Sequence, residues 1–228
     1  MIDHSLFPTL ISEFHYDFPQ SFKDKFFAQV MNHMSEEGFS DEMTGHVALH
    51  LEPTWEEIFK FATNGIKHYM FRLGADPEVF DINFVKTFLA ITKEVSTPLH
   101  VHSDAHISWT YYVNVPDGVN YPIRFHDRQR HEPYPGFCRY NNARNWWDHY
   151  NSETWKFVPT EGQMFVFSSN LAHDTVKYDN NTQNRVGCKT VVDLKKRRIC
   201  MAGDIILTYK ELTAVPLGLQ PVKNWRTF

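Results

Sequence analysis

The feature that most constrains the fold is a change of pattern near residue 80, after which short runs of β-branched and aromatic residues recur. Turn signals such as Pro116-Asp117-Gly118 and Glu161-Gly162 separate the runs. Short strands with few helices between them predict a β-sandwich or a β-barrel. The predicted strands are 84–91, 99–101, 107–115, 123–125, 165–167, 190–194 and 205–209.

The part of the chain before this change shows the apolar spacing of helices. One helix is predicted over residues 21–37 and a second over 54–73, and a glycine follows each of them. We expect a single domain, in which a helical buttress over 1–79 supports a β core over 80–210 and a tail over 211–228.

Composition excludes several classes of protein. The net charge of -4 gives no general affinity for nucleic acid. No apolar run is long enough to cross a membrane, and the first residues do not read as a secretory signal peptide. The three cysteines are too widely spaced for a disulfide framework or a CxxC zinc site. We therefore expect a cytoplasmic protein with reduced thiols.

The most informative segment is 98–108, in which histidines and an aspartate alternate. Alternate residues of an extended chain face one side. The side chains that would share that side are His100, His102, Asp104 and His106. Burying unpaired charges is unfavourable, whereas a metal ion would organise them. His102 and Asp104 supply a His-x-Asp pair, which suits the two-histidine, one-carboxylate centre of non-haem iron enzymes.

Such a centre also needs a distant histidine, and His173 is suitably placed. It follows a predicted buried strand at 165–167, and we expect the short polar turn after that strand to present it beside the first strand. Arg185 opens another β-like run shortly afterwards. Arginine is suited to binding a carboxylate through two parallel hydrogen bonds.

The order of these motifs resembles the iron(II)/2-oxoglutarate-dependent oxygenases of the prolyl-hydroxylase-like kind. The chain is most similar to a branch, common in phages and marine bacteria, with an H-x-H...S-G-x-Y-Y segment and a later P-x-x-G...F-P-S-x-x-x-H...R segment. The resemblance covers roughly residues 80–195. The matching residues are His100-Val101-His102, Ser108-Trp109-Thr110-Tyr111-Tyr112, Pro159-Thr160-Glu161-Gly162, Phe167-Ser168-Ser169, His173 and Arg185.

The resemblance implies a mainly β fold with flanking helices, a double-stranded β-helix or jelly-roll barrel with iron at its mouth. It implies that His173 is the distal iron ligand and that Arg185 pairs with the far carboxylate of 2-oxoglutarate, to which Tyr112 donates a hydrogen bond. The proximal pair is His100 and His102 by alignment, or His102 and Asp104 by the chemistry of the triad.

Three positions depart from the pattern of that branch. Trp109 replaces a usual glycine and is expected to narrow the pocket. Ser168 replaces a proline, and Gly187 stands where a serine often helps to bind 2-oxoglutarate. We also expect the barrel interior to be lined by Trp109, Tyr111 or Phe165, as strand alternation decides.

The predicted activity is hydroxylation of an aliphatic C–H bond in a peptide or small molecule, with release of succinate and CO2. The resemblance implies Fe(II) as the cofactor and 2-oxoglutarate as the co-substrate. A metal- or ligand-binding barrel without turnover shares every histidine, but it has no use for a carboxylate clamp at Arg185 and Tyr112. A zinc hydrolase is disfavoured because the chain has no HExxH motif.

Three further segments bear on partners. Residues 127–156 combine arginines with aromatic residues and are expected to form a lid over the substrate. The run at 195–198 is expected to be a solvated basic turn. The tail after residue 214 is expected to pack on the domain or on a second copy, as in a homodimer.

Overall fold

The strands of the computed structural model form two antiparallel sheets, and the prediction of a mainly β fold with a few helices is confirmed. The structure describes residues 9–37, 48–92, 97–118, 121–126, 154–175, 190–211 and 218–227. The strands are β1 Ile11–His15, β2 Phe80–Thr92, β3 Thr97–His100, β4 Ile107–Asn114, β5 Ile123–His126, β6 Thr154–Phe157, β7 Gln163–Ser168, β8 Ala172–Thr175 and β9 Arg198–Tyr209. The helices are α1 Gln20–Glu37, α2 Glu56–Arg72 and α3 Val191–Lys195.

The first sheet has five strands in the order β1-β7-β4-β9-β2, and the second has four in the order β3-β8-β5-β6. Most neighbouring strands are distant in sequence, so long connections join the sheets. Strands β4 and β7 run side by side in the first sheet, whereas β3 and β8 pair in the second. Each of the segments 97–114 and 163–175 therefore contributes a strand to both sheets.

The outer face of the five-stranded sheet packs against the helices. Alternation along β4 sends Trp109, Tyr111 and Val113 into this layer with the buried side of α2. The two predicted helices are confirmed with nearly the expected bounds. Gly65 allows α2 to approach the sheet closely, because a Cβ atom there would meet the side chains of Met164 and Phe14.

Trp109 belongs to this helical layer, so the prediction that it narrows the pocket is wrong. Its ring packs edge-on against Phe59, with ring centroids 5.9 Å apart, and against Phe84 at 6.1 Å. Gly203 lies opposite Trp109 in the β4–β9 register and leaves room for the indole. Successive side chains of a β-strand point to opposite faces of the sheet, and the side chain of Trp109 therefore points away from the second sheet.

The inner faces of the two sheets meet in a second aromatic core. Phe125 of β5 contacts Phe167 of β7 with ring centroids 4.9 Å apart, and Phe157 of β6 contacts Phe165 at 5.0 Å. Tyr112 lies in the same cluster. Of the three residues expected to line the interior, Phe165 does so, whereas Trp109 and Tyr111 face the helices.

The segment 190–194 and the N-terminal region differ from their sequence predictions. The strand predicted at 190–194 is the short helix α3, because the Thr190 hydroxyl accepts a hydrogen bond from the Asp193 amide at 3.1 Å and caps the turn. The N-terminal region was predicted to be helical, but it also supplies strand β1, which pairs with β7 at the edge of the larger sheet.

The segments expected to contact partners are described only in part. Residues 127–153 of the predicted lid lie outside the described residues, and 154–157 form strand β6 instead of a loop. In the tail, the Leu219 carbonyl accepts a hydrogen bond from the Tyr209 amide at 2.9 Å, so this part packs back on β9. Among the described residues, none of the helices combines the length and apolarity that crossing a bilayer requires.

The two tryptophans of the sheets provide a test of this packing. Replacing the fully buried Trp109 by Ala leaves a large cavity under α2, and we expect it to lower the free energy of unfolding by about 3–5 kcal/mol. Replacing Trp155, which is 42% exposed on β6, is expected to cost less than about 1 kcal/mol. Urea unfolding followed by circular dichroism measures both, and equal losses would contradict the assignment of Trp109 to the core.

Candidate metal centre

Three histidines converge at one end of the smaller sheet. His100 ends β3 and lies directly opposite His173 of β8 in the antiparallel register. His102 follows two residues after the end of β3, and its backbone amide donates to the Ser169 carbonyl at 2.9 Å. One ligand nitrogen from each of the three rings lies within 4.8 Å of the others. Sequence-distant segments thus supply a compact set of three imidazoles.

The prediction that residues 100–106 form one extended segment is wrong. Strand β3 ends at His100, and the chain turns at Ser103 and Asp104 before β4 begins. Asp104 is exposed and lies outside the group of three histidines. His106 is also exposed, and its Nδ1 accepts a hydrogen bond from the Leu207 amide at 2.9 Å. The turn therefore separates the side chains that an extended strand would have placed together.

Hydrogen bonds orient the three rings. The Nδ1 atom of His100 lies 2.7 Å from the Pro98 carbonyl oxygen, and that of His173 lies 2.8 Å from the Leu171 carbonyl oxygen. A carbonyl only accepts, so both Nδ1 atoms carry a proton and leave the Nε2 lone pair free. His102 places its Nδ1 2.5 Å from an Asp204 carboxylate oxygen, which leaves Nε2 free by the same reasoning.

Asp204 is a site residue that the sequence prediction missed. It lies on β9, is 5% exposed, and accepts a hydrogen bond from the Ser108 hydroxyl at 2.8 Å. Burial disfavours its charge, but the hydrogen bonds from His102 and Ser108 outweigh burial and hold its pKa below the ordinary value. A lone carboxylate inside the apolar run 199–207 was the available signal.

His173 is the most buried of the three histidines. It is 6% exposed, and its ring packs against Phe167 and Phe125, with centroids 4.9 and 6.1 Å away. Burial lowers the pKa of His173 to about 4, with a further contribution from the neighbouring His100 and His102 rings. The imidazole is therefore neutral near neutral pH, which is the form that binds metal. It lies on strand β8 and not on the polar turn that the sequence predicted.

The three histidines fit a divalent transition metal. Neutral imidazole nitrogens suit iron, zinc, copper and nickel. The Nε2 atom of His102 is buried and has no hydrogen-bond partner in the described part of the chain. A buried nitrogen without a partner is unfavourable unless something occupies its lone pair, and a metal ion would do so. Asp104 does not join this set in the structure.

A buried arginine lies beside Tyr112 on the inner side of the larger sheet. The guanidinium carbon of Arg198 is 5.4 Å from the centroid of the Tyr112 ring, and Arg198 is only 2% exposed. The solvated turn predicted over 195–198 is therefore wrong for Arg197 and Arg198, both of which are buried. Arg198 begins β9, where inward-facing positions alternate with outward-facing ones.

Arg198 has unused hydrogen-bonding capacity. One terminal nitrogen donates to the Tyr121 carbonyl at 2.7 Å, while the buried Nε has no hydrogen-bond partner among the described residues. Burial raises the pKa of Tyr112, so its hydroxyl stays protonated and can donate a hydrogen bond. Arg185, the arginine that the sequence analysis selected, lies outside the described residues, as does Gly187.

Part of the chain is similar to a known family of oxygenases. A family model described as "Putative 2OG-Fe(II) oxygenase" matches residues 88–189, which is less than half of the chain. That segment contains all three site histidines. Over this segment the chain is similar to 2-oxoglutarate- and Fe(II)-dependent oxygenases, and the similarity confirms the predicted cofactors Fe(II) and 2-oxoglutarate. A search of curated proteins found no match.

Solved structures show the same fold at low sequence identity. AviO1 from Streptomyces viridochromogenes Tue57 has a TM-score of 0.51 and 10% identity, over 92% of this chain and 91% of that protein. The non-haem α-ketoglutarate-dependent epimerase SnoN from nogalamycin biosynthesis has a TM-score of 0.52 and 11% identity, over 91% and 83%. An oxidoreductase of the 2OG-Fe(II) oxygenase family from Burkholderia pseudomallei is a weaker match, with a TM-score of 0.41 and 12% identity over 67% of this chain, and the chain spans only 56% of the length of that protein.

The depressed pKa of His173 predicts acid sensitivity of the metal-free protein. The unfolded chain takes up a proton near pH 6.5, whereas folded His173 stays neutral down to about 4. Its contribution to stability is therefore fully present above pH 6.5 and is lost as the pH falls from 6.5 to 4. We expect a loss of about 1–3 kcal/mol across this range.

Urea unfolding of the metal-free protein at several pH values measures this loss. The matched variant His173→Gln cannot take up the proton, so its stability is expected to fall less over the same range. Parallel curves for the two proteins would show that His173 titrates normally in the folded state.

Proposed function

We propose that this chain is an Fe(II)- and 2-oxoglutarate-dependent dioxygenase of the phage and marine-bacterial branch that its motifs resemble. It hydroxylates an aliphatic C–H bond of a peptide or small molecule and releases succinate and CO2. The observation that carries the proposal is the convergence of His100, His102 and His173 within 4.8 Å, inside the segment that matches the oxygenase family.

The order of the strands supports a double-stranded β-helix. From β2 to β5, consecutive strands alternate between the two antiparallel sheets. Strands β2 and β4 belong to the larger sheet, and β3 and β5 belong to the smaller one. This division of eight strands supports a jelly roll, with β1 as an extra edge strand on the larger sheet. The helices cover the outside of that sheet, so we expect ligands to enter from an open end or from the side of the smaller sheet.

His100, His102 and His173 would hold the iron through their Nε2 atoms. The bound iron and 2-oxoglutarate supply the activation of dioxygen, coupled to loss of CO2 from the keto acid. The protein contributes orientation and the exclusion of water. The rings of Phe125 and Phe167 cover one side of His173 and keep this part of the site apolar.

Arg198 and Tyr112 are the best-supported partners for the far carboxylate of 2-oxoglutarate among the described residues. A buried guanidinium with an unpartnered Nε is suited to an anion, and the protonated Tyr112 hydroxyl beside it can donate a second hydrogen bond. Arg198 shares the inner face of β9 with Asp204, which contacts His102. One strand face therefore carries both the proposed partner of the carboxylate and the residue that contacts a proposed iron ligand.

A metal-binding barrel without turnover is the second candidate function. It is favoured by the exposed position of Asp104, because the three described ligands include no carboxylate. Turnover separates the two functions. With Fe(II), ascorbate and oxygen, an oxygenase releases succinate from 2-oxoglutarate even without its prime substrate, and His173→Ala removes this release. Metal binding without any release of succinate would favour the barrel.

His173 is expected to be indispensable for metal binding. The wild type should bind about one Fe(II) per chain, and His173→Ala should abolish binding because it removes the most buried of three ligands. The exposed His106 provides a matched control, and His106→Ala should retain the metal. Metal content after anaerobic desalting measures both variants. Stoichiometric iron in His173→Ala would exclude His173 from the site.

Paired arginine variants identify the carboxylate clamp. Arg198→Gln is expected to weaken binding of 2-oxoglutarate to the Fe(II)-loaded protein by about 2–5 kcal/mol, as for removal of one partner of a buried charge pair. Arg185→Gln tests the arginine that the family motif selects. Anaerobic titration of the absorption band of the iron-bound keto acid gives both affinities. A loss confined to Arg185→Gln would overturn the assignment of Arg198.

A further inference from the structure

Asp204 contacts the ring of His102, although Asp204 is not itself one of the three candidate metal ligands. Its Oδ1 atom accepts from the His102 ring at 2.5 Å and from the Ser108 hydroxyl at 2.8 Å. The other two rings donate to backbone carbonyls. Among the described residues, His102 is thus the one site histidine whose ring is bonded to a carboxylate.

The surroundings hold this carboxylate in place. The Ser108 hydroxyl, which donates to Asp204, also lies 2.9 Å from the Ser169 hydroxyl. The Ser169 carbonyl in turn accepts the backbone amide of His102. These contacts connect β9, β4 and the segment before β8 around one imidazole. A buried charge is unfavourable, and an apolar residue would stabilise this position of the sheet at lower cost.

The charge of Asp204 complements the ligand set. Three neutral imidazoles carry no negative charge, whereas the usual centre of this chemistry includes one carboxylate among its ligands. A carboxylate that accepts the second N–H of a ligating histidine fixes the orientation of the ring and makes it a stronger donor. The contact between Asp204 and His102 is an arrangement of this kind.

We propose that Asp204 is a positioning residue of the metal centre, which acts through the His102 imidazole and supplies the negative charge that the three histidines lack. It holds the Nδ1–H of His102 so that Nε2 faces the metal. This inference rests on the proposed function, because it assumes that His102 is a ligand.

The test compares Asp204→Asn with the wild type, using Co(II) alone as the probe. The amide oxygen can still accept from His102 and Ser108, so the change removes mainly the charge. We expect the affinity for Co(II), measured by competition with a chelator, to fall by about 10- to 100-fold. The midpoint potential of the Fe(III)/Fe(II) couple should rise, because a weaker donor stabilises Fe(III) less.

Asp174→Asn is the matched control. Asp174 is equally buried at 5% exposure and adjoins His173 in sequence, but its carboxylate pairs with Arg124 and His126. Its replacement should leave both readouts unchanged. Equal Co(II) affinity and equal potential for Asp204→Asn and the wild type would overturn the inference. Failure of the wild type to bind Co(II) would instead overturn the proposed metal centre.

A measurement on the wild type covers the case in which Asp204→Asn does not fold. In the Zn(II)-loaded protein labelled with 15N-histidine, we expect His102 to be protonated at Nδ1 and bound to metal through Nε2. Its Nδ1 proton should resonate further downfield than those of His100 and His173, because its acceptor is a carboxylate. A His102 ring without a proton on Nδ1 would overturn the inference.

Discussion

The antiparallel pairing of β3 with β8 is the interaction on which the site depends. It places His100 opposite His173, although the two lie in separate segments of the chain. A shift of the register by one residue would turn one of the two imidazoles to the other face of the sheet. Phe125 and Phe167 contact the His173 ring from the core side, so the packing between the sheets also holds this site histidine in place.

The inner face of β9 connects the two ends of the site. Arg198 and Asp204 are both buried on this face, in a strand whose other face packs Met201 and Ile205 against the helices. Because the side chains of a strand alternate between its two faces, one face can be polar while the other is apolar. The sheet therefore places a cation beside Tyr112 and an anion beside His102 while its outer side builds the main core.

The spacing of apolar residues along the chain was sufficient to predict much of the fold. It could not predict the features that depend on contacts between distant segments. Helices α1 and α2 and most strands follow from local apolar spacing. Thr190 caps a short helix where the β-branched residues predicted a strand. A turn at Ser103 and Asp104 interrupts a segment that the sequence predicted to be extended. His102 and His173 could be predicted as metal ligands because their order along the chain resembles a known motif. Asp204 was missed because its role depends on β9 lying beside β4, which no local pattern reveals.

A crystal structure of the protein loaded anaerobically with Fe(II) and 2-oxoglutarate would decide whether three imidazoles hold the metal. We expect the Nε2 atoms of His100, His102 and His173 at about 2.0–2.2 Å from the ion, the usual range for nitrogen ligands. Asp204 should remain on the Nδ1 side of His102. An ion bound by the Asp104 carboxylate in place of His100, or one without contact to His173, would contradict the site described here.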